Sequence, residues 1–138
     1  MKVVIDINVL LQSIGRSSLF RPIWEAYLNE GFQLVVSTSV LLEYEEKIAE
    51  KTSSTVASNV LSLISEAINS TFVNIYYEWG AIKKDPDDNK YFDTAVSANA
   101  DYIVTNDHHF NEVKKMEFPE IRIISAADFL SILKGPLV

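Results

Sequence analysis

Cysteine is absent from the 138 residues. Disulfides and thiolate metal sites are thereby excluded, and a reducing compartment is the simplest home for the chain. Histidine is scarce too: the only two, His108 and His109, stand side by side, which excludes a zinc centre built from several imidazoles. No apolar run approaches the roughly 20 residues of a membrane-spanning helix. The N-terminus lacks the basic, apolar, small-residue layout of a secretory signal, because Asp6 falls where the apolar segment would lie. Together these absences give the expectation of a cytoplasmic protein without membrane contact. There is no glycine-rich phosphate loop, nucleophile elbow, internal repeat, low-complexity segment or interdomain linker. Basic residues are outnumbered, 12 Lys and Arg against 19 Asp and Glu, for a net charge of −7. Nonspecific nucleic-acid binding runs on Lys and Arg contacts to phosphate, so this balance alone argues against a polyanionic partner. The count misleads where acids cluster around divalent cations, which offset the charge locally.

Hydrophobic residues make up 48% of the chain, against disorder. The length predicts a single domain over residues 1–138, large enough to bury roughly two-thirds of its unfolded surface. The stretch from Lys84 to Phe110 organises the rest. Asp85-Pro86-Asp87-Asp88-Asn89 is turn and helix-cap chemistry, because Asp and Asn side chains accept from the free N–H groups of a helix start. Ala95, Val96 and Ala98 suit a closely packed helix. Tyr102-Ile103-Val104 reads as a strand covered on both faces, and Asp107 lies just past its end. In open α/β sheets ligands bind at that end.

The first strand brings another acid to a comparable place. Asp6 interrupts the almost wholly apolar run Lys2–Leu11. It reads either as a helix N-cap or as a buried carboxylate that needs a partner or a metal. A short helix is expected over Leu10–Ile14. A second follows, capped by Ser17 or Ser18, with Pro22 in its first turn and Gly31 at its end. Phe32–Val36 reads as the second strand. Ser37-Thr38-Ser39 opens a third helix with Val40, Leu41, Tyr44 and Ile48 as its apolar stripe. Of its acids, Glu43 lies one turn from the strand end, where it can lean over the edge. Glu45, Glu46 and Glu50 read as a solvated face. Val56, Val60, Leu63, Ile64, Ala67 and Ile68 give a fourth helix, paired with the third. Phe72–Tyr77 is the expected third strand and Ile121–Ile124 the last, with a short helix over Asp107–Lys115 between them. Ser125-Ala126-Ala127-Asp128 caps the final helix.

Strands therefore alternate with helices. That pattern calls for a three-layer α/β/α architecture, with a mostly parallel sheet and right-handed crossovers. Strand C-termini then share one edge, and Asp6, Glu43, Asp88 and Asp107 each follow an element leaving it or lie within a turn or two. Like charges so close repel unless protonated or bridged by cations. Hard ions such as Mg²⁺ or Mn²⁺ prefer carboxylate oxygens, and one or two of them can activate water and stabilise the leaving oxygen of a phosphodiester.

The ordered set VVIDINVLL, STSVLLEYEEKI, DPDDNKYFDTAVSANADYIVTND and RIISAADFL resembles the PIN-domain nucleases. It is most similar to the prokaryotic branch of toxin components related to toxins of the VapC type. The resemblance implies a flavodoxin-like sheet of about five strands and metal-dependent ribonuclease activity at an acidic site. The family's first acid matches Asp6, with Asn8 as the polar residue beside it. Its second matches Glu43, and its fourth Asp107 in Thr105-Asn106-Asp107. The third best matches Asp88, with Asp87 adjacent. Asp93, a little over one turn further on, is a possible additional ligand, or a plain helix-surface acid. Many relatives carry a further acid where this chain has His109, which reads as a phosphate contact or a surface histidine. Thr105 and Asn106 are candidates to orient Asp107 or to bind phosphate. Lys83, Lys84, Lys90, Arg16 and Arg21 are candidates for backbone contacts, and Asp85 and Asp101 read as turn and cap residues.

The implied function is a Mg²⁺- or Mn²⁺-dependent endoribonuclease cleaving single-stranded RNA. The expected partners are the RNA substrate and a small antitoxin, with a homodimer as a possible assembly. Two other classes stay open. One is a PIN fold without turnover that acts through protein contacts. The other is a phosphatase or phosphotransferase using Asp6 as nucleophile, although Asn8 stands where such enzymes usually carry a second acid.

Overall fold

The structure is a computed structural model and describes residues 1–135. Five parallel strands form one sheet in the order β3-β2-β1-β4-β5. They are β1 (Lys2–Ile5), β2 (Gln33–Val36), β3 (Ser70–Phe72), β4 (Tyr102–Val104) and β5 (Arg122–Ile124). Among the described residues seven helices flank the sheet: α1 (Ile7–Ile14), α2 (Arg21–Leu28), α3 (Thr38–Lys51), α4 (Ser54–Glu66), α5 (Asn89–Ala98), α6 (Asn111–Lys114) and α7 (Ala126–Lys134). Single 3₁₀ turns at Pro86–Asp88 and His108–Phe110 lead into α5 and α6. This is the three-layer α/β/α fold that the alternation of patterns predicts.

The central strands are apolar along their length because both of their faces are covered. Val3, Val4, Val35, Val36, Ile103 and Val104 have no exposed surface. Serine hydroxyls start three of the helices, two of them as the sequence implies (Ser37 and Ser125). Ser37 accepts from Val40 N–H, Ser53 from Val56 N–H and Ser125 from Asp128 N–H. Helix α2, by contrast, has Phe20 at its N-cap and no side-chain cap, the Ser18 hydroxyl accepting only from the Phe20 N–H. Helix α5 closes on Asn99 in the left-handed region, at φ 52°, a conformation Asn tolerates better than most residues.

Four local expectations are corrected. Helix α1 begins at Ile7 rather than Leu10, since the Leu10 N–H already closes a turn onto the Asp6 carbonyl at 3.0 Å. Glu30, at φ 61°, makes the left-handed turn after α2. Gly31 is needed instead for a close approach, because a Cβ there would lie 2.9 Å from the Ala26 carbonyl oxygen. Strand β3 covers Ser70–Phe72, not Phe72–Tyr77. It pairs residue for residue with β2, which ends at Val36 opposite Phe72, so residues 73–77 have no strand to pair with. Helix α4 stops at Glu66, and Leu63 and Ile68 of its expected stripe are exposed.

Strand order dictates where a site can form. From β1 the chain steps outward to β2 and β3, then returns across the sheet to β4 on the other side of β1. The crevice between the C-terminal ends of β1 and β4 is therefore the topological switch point, the usual ligand position in such sheets.

Candidate active site

Asp6 leaves β1 at this crevice and Thr105 leaves β4 beside it. The Asp6 N–H donates to the Val104 carbonyl at 3.0 Å, which extends the strand pairing by one step. The Asp6 side chain is only 3% exposed. It makes no capping hydrogen bond to α1, although Asp6 occupies the N-cap position. Its Oδ2 instead accepts from the Thr105 hydroxyl at 2.8 Å. Thr105 also accepts from the Asp107 N–H at 3.0 Å, so one buried hydroxyl ties the two acid-bearing strand ends together. Burial raises the Asp6 pKa. The Thr105 hydrogen bond and the Asn8 amide oppose this, and the charges of Glu43 and Asp107 add to it.

Glu43 reaches the same crevice from the second turn of α3, and both of its oxygens are engaged. Oε1 accepts from the Tyr91 hydroxyl, and Oε2 lies 2.9 Å from Lys90 Nζ. The Lys90 ammonium also contacts Asp87 Oδ1 at 3.1 Å. Burial works against its charge, but the bonds to Glu43 and Asp87 outweigh burial and raise its pKa. The Tyr91 oxygen in turn accepts from the Ile7 N–H at 3.2 Å, at the start of α1. Tyr44, fully buried below Glu43, donates to the Ile5 carbonyl. These two tyrosines fasten α3 and α5 to the end of β1. Tyr91→Phe should therefore lower stability by about 1–3 kcal/mol in chemical denaturation, because a buried N–H and a carboxylate oxygen each lose a partner. No change in the unfolding midpoint would contradict that role.

Asp88 and Asp85 come from the 3₁₀ turn before α5. Asp85 Oδ1 accepts from the Asp87 N–H at 3.3 Å, and its Oδ2 lies 3.8 Å from His109 Nδ1. Asp88 Oδ2 is 3.9 Å from the same nitrogen, and Asp107 Oδ1 is 3.3 Å from it. Asp107 caps the second 3₁₀ turn, accepting from the His109 N–H at 2.9 Å. Burial pushes the Asp88 carboxyl up to about 7, with further contributions from the charges of Asp85, Asp107, Asp6 and Glu43. Asp6, Glu43, Asp88 and Asp107 thus lie within electrostatic reach of one another, as do Asp85 and His109. Asp88 Oδ2 and His109 Nδ1 are the two enclosed side-chain atoms among the described residues that lack a hydrogen-bond partner. Asp85, Asp88 and His109 each offer one ligand atom within 4.8 Å of the others. Oxygen-rich donors with orphaned polar atoms facing one another fit a divalent cation.

Other candidate residues are engaged elsewhere. Asp93 is buried, but its Oδ1 accepts from the Trp79 N–H at 3.1 Å. Burial raises its pKa, and the only acid that adds to this is Glu78. Through this bond it serves the 73–82 segment. Asn106 Oδ1 accepts from the Ala126 N–H at 3.0 Å and so holds the start of α7 rather than Asp107. Asn8 is exposed on α1. Asp101 accepts from the Lys2 N–H at 2.8 Å, as a turn acid would. Arg21 donates to the Ile14 carbonyl at 2.6 Å and also faces Glu25. Beside the Glu43–Lys90 pair opens a cleft of about 700 Å³ whose lining includes Ser37, Ser39, Asp87, Lys90 and Asp93.

The chain matches the PIN domain over residues 2–109, and it belongs to the PIN-domain family. No curated protein sequence matches it. Solved structures share its fold at low identity. Similar to it is the VapBC2 complex of Rickettsia felis bound to a DNA fragment of its promoter, at 14% identity and a TM-score of 0.61, over 91% of this chain and 98% of that one. The DNA-bound VapBC complex of Salmonella typhimurium gives 18% identity and a TM-score of 0.61, over 91% and 98%. VapBC-1 of nontypeable Haemophilus influenzae gives 16% and 0.63, over 92% and 99%.

Proposed function

We propose that this PIN domain is a Mg²⁺- or Mn²⁺-dependent endoribonuclease, the toxin of a toxin–antitoxin pair. One observation carries the reading. Carboxylates of Asp85, Asp88 and Asp107 crowd one point, 3.8, 3.9 and 3.3 Å from His109 Nδ1, and Asp88 Oδ2 has no hydrogen-bond partner there, so that their like charges repel. Such repulsion is costly to keep at neutral pH unless a cation relieves it. Asp6, Glu43, Asp88 and Asp107 would hold the metal. A bound divalent cation supplies activation of water and neutralises charge developing on a phosphodiester.

Other features of the chain suit a single strand of RNA. Thr105 keeps the Asp6 carboxylate fixed in its buried niche. Tyr77, Trp79 and Phe118 form an edge-on row, with ring centroids 4.6 Å and 6.0 Å apart. Tyr77 and Phe118 are exposed, as stacked bases require. The exposed Lys83 and Lys84 are drawn toward α6 by Glu112, which accepts both of their main-chain N–H groups. Lys114 at the end of α6 and Lys115 just after it are exposed as well, which gives an RNA backbone four exposed cations to meet. The structural likeness to VapBC complexes and the acidic crevice support a small antitoxin that covers the edge with a basic side chain. The absence of cysteine, and of any described helix long and apolar enough to cross a membrane, is compatible with work in the cytoplasm.

The test is cleavage of a labelled single-stranded RNA in millimolar Mn²⁺ and in chelator. Cleavage is expected only with metal. The products should carry a 5′-phosphate and a 3′-hydroxyl, because water and not the neighbouring 2′-hydroxyl is the nucleophile. A 2′,3′-cyclic phosphate on ordinary RNA would reject that chemistry. Metal binding without cleavage of any RNA would favour the inactive interaction module.

A further inference from the structure

We infer that His109 is a metal ligand, and that its imidazole makes this centre a mixed nitrogen–oxygen site favouring Mn²⁺ over Mg²⁺. The inference rests on the metal-dependent reading above and adds a residue and a selectivity to it. His109 follows Asp107 by two residues within a single 3₁₀ turn. Its own N–H is held on Asp107 Oδ1 at 2.9 Å, which folds the ring back over the carboxylates. Nδ1 then faces oxygens from two separate segments: Asp107 at 3.3 Å, Asp85 at 3.8 Å and Asp88 at 3.9 Å.

The last two separations are too long for hydrogen bonds. They suit atoms that share an ion. Ligands about 2.1 Å from an octahedral cation lie about 3.0 Å apart when adjacent and about 4.2 Å apart when opposite. The two atoms left without a hydrogen-bond partner, His109 Nδ1 and Asp88 Oδ2, face each other across this gap. Asp85 contributes as well. One of its oxygens caps the turn and the other points to the imidazole, so a residue that reads as a turn acid presents a free ligand atom. Lys90 does not answer these charges, since it is held by Glu43 and Asp87.

Metal preference follows from the donor type. Mg²⁺ demands oxygen and retains its waters, whereas imidazole is a good donor to first-row transition ions and strengthens their hold in the order of that series. A rival arrangement has a protonated His109 as a permanent counter-ion of the three carboxylates, with no bond to the metal.

Pulsed electron paramagnetic resonance of Mn²⁺ bound to the intact chain separates the two without any variant. A directly bound imidazole gives ¹⁴N modulation of the Mn²⁺ signal, and a counter-ion does not. Calorimetric titration of Mn²⁺ and Mg²⁺ adds the selectivity. His109→Asp should lose the ¹⁴N signal and at least about tenfold in Mn²⁺ affinity, with Mg²⁺ affinity unchanged or improved, so the Mn²⁺/Mg²⁺ ratio collapses. His109→Gln should lose affinity for Mn²⁺ more than for Mg²⁺. Mn²⁺ bound to the parent chain without ¹⁴N modulation, and a ratio unmoved by His109→Asp, would overturn the inference and leave the nuclease reading standing. Failure of the parent to bind either ion would overturn both.

Discussion

Asp6→Asn should lower RNA cleavage by at least about a hundredfold while leaving the fold intact. The substitution keeps the shape of the side chain and leaves an amide oxygen for the Thr105 hydroxyl, now 2.8 Å from Asp6 Oδ2. It removes the charge alone. Because burial already raises the Asp6 pKa, losing that charge costs the metal-free protein nothing, and its melting temperature should be at least that of the parent. The loss of activity then reports on the chemistry and not on unfolding. Glu45→Gln is the control. Glu45 is an exposed acid on the same helix as Glu43, and its loss should change little. Equal activity in Asp6→Asn and the parent would remove Asp6 from the site.

Asp88→Asn should stabilise the protein when metal is absent and weaken its response when metal is present. The Asp88 carboxyl lies at about 7 in the fold against an ordinary 3.8. A pKa raised on folding means that the folded state prefers the proton. The stability tied to that proton is complete below the ordinary value and is lost as pH climbs through about 7. Three pH units correspond to a ceiling of roughly 4 kcal/mol. Solvent at the open sheet edge screens part of this, so about 1–2 kcal/mol, or about 4–8 °C in melting temperature, is expected. In chelator, the variant should therefore melt above the parent at pH 8, and the gap should close toward pH 4. Metal reverses the ranking. An ion that binds only the folded state adds about 2.7 kcal/mol at a hundredfold excess over its dissociation constant, or about 10 °C here. The parent should gain this from Mn²⁺ and the variant much less. A variant clearly less stable than the parent at pH 8 in chelator, with an equal gain from Mn²⁺, would make Asp88 an ordinary turn residue.

What the sequence reveals of this crevice follows from the reach of local rules. Asp6 and Asp107 stand out because each ends an apolar run, and the alternation of strands and helices places both strand ends at one edge. Glu43 is visible by its distance of one turn from a strand end. The partners of these acids are harder to see. Nothing in the sequence singles out Tyr91, yet its hydroxyl spans from Glu43 to the start of α1. Lys90 reads as a candidate for backbone contacts, and only the packing of α3 beside α5 pairs it with Glu43. Asp85 and His109 belong to two short 3₁₀ turns, and only tertiary folding apposes them. Asp93 and Asn106 show the converse. Both have the residue type and the neighbourhood of a site residue, and both are spent on main-chain N–H groups of adjoining segments. The displaced third strand has a similar cause. Phe72–Tyr77 has β propensity, but the length of its neighbour decides where pairing stops.

The hydrogen bond from Thr105 to Asp6 joins residues 99 positions apart. Strand β1, made first, occupies the middle of the sheet and stays unpaired on one side until β4 arrives. During synthesis at about 5–20 residues per second, roughly 5–20 s separate the appearance of Asp6 from that of Thr105. A growing chain therefore carries Asp6 through that interval without Thr105 beside it. Biosynthesis itself acts as a timer: the acidic crevice cannot close until β4 and Thr105 have been made.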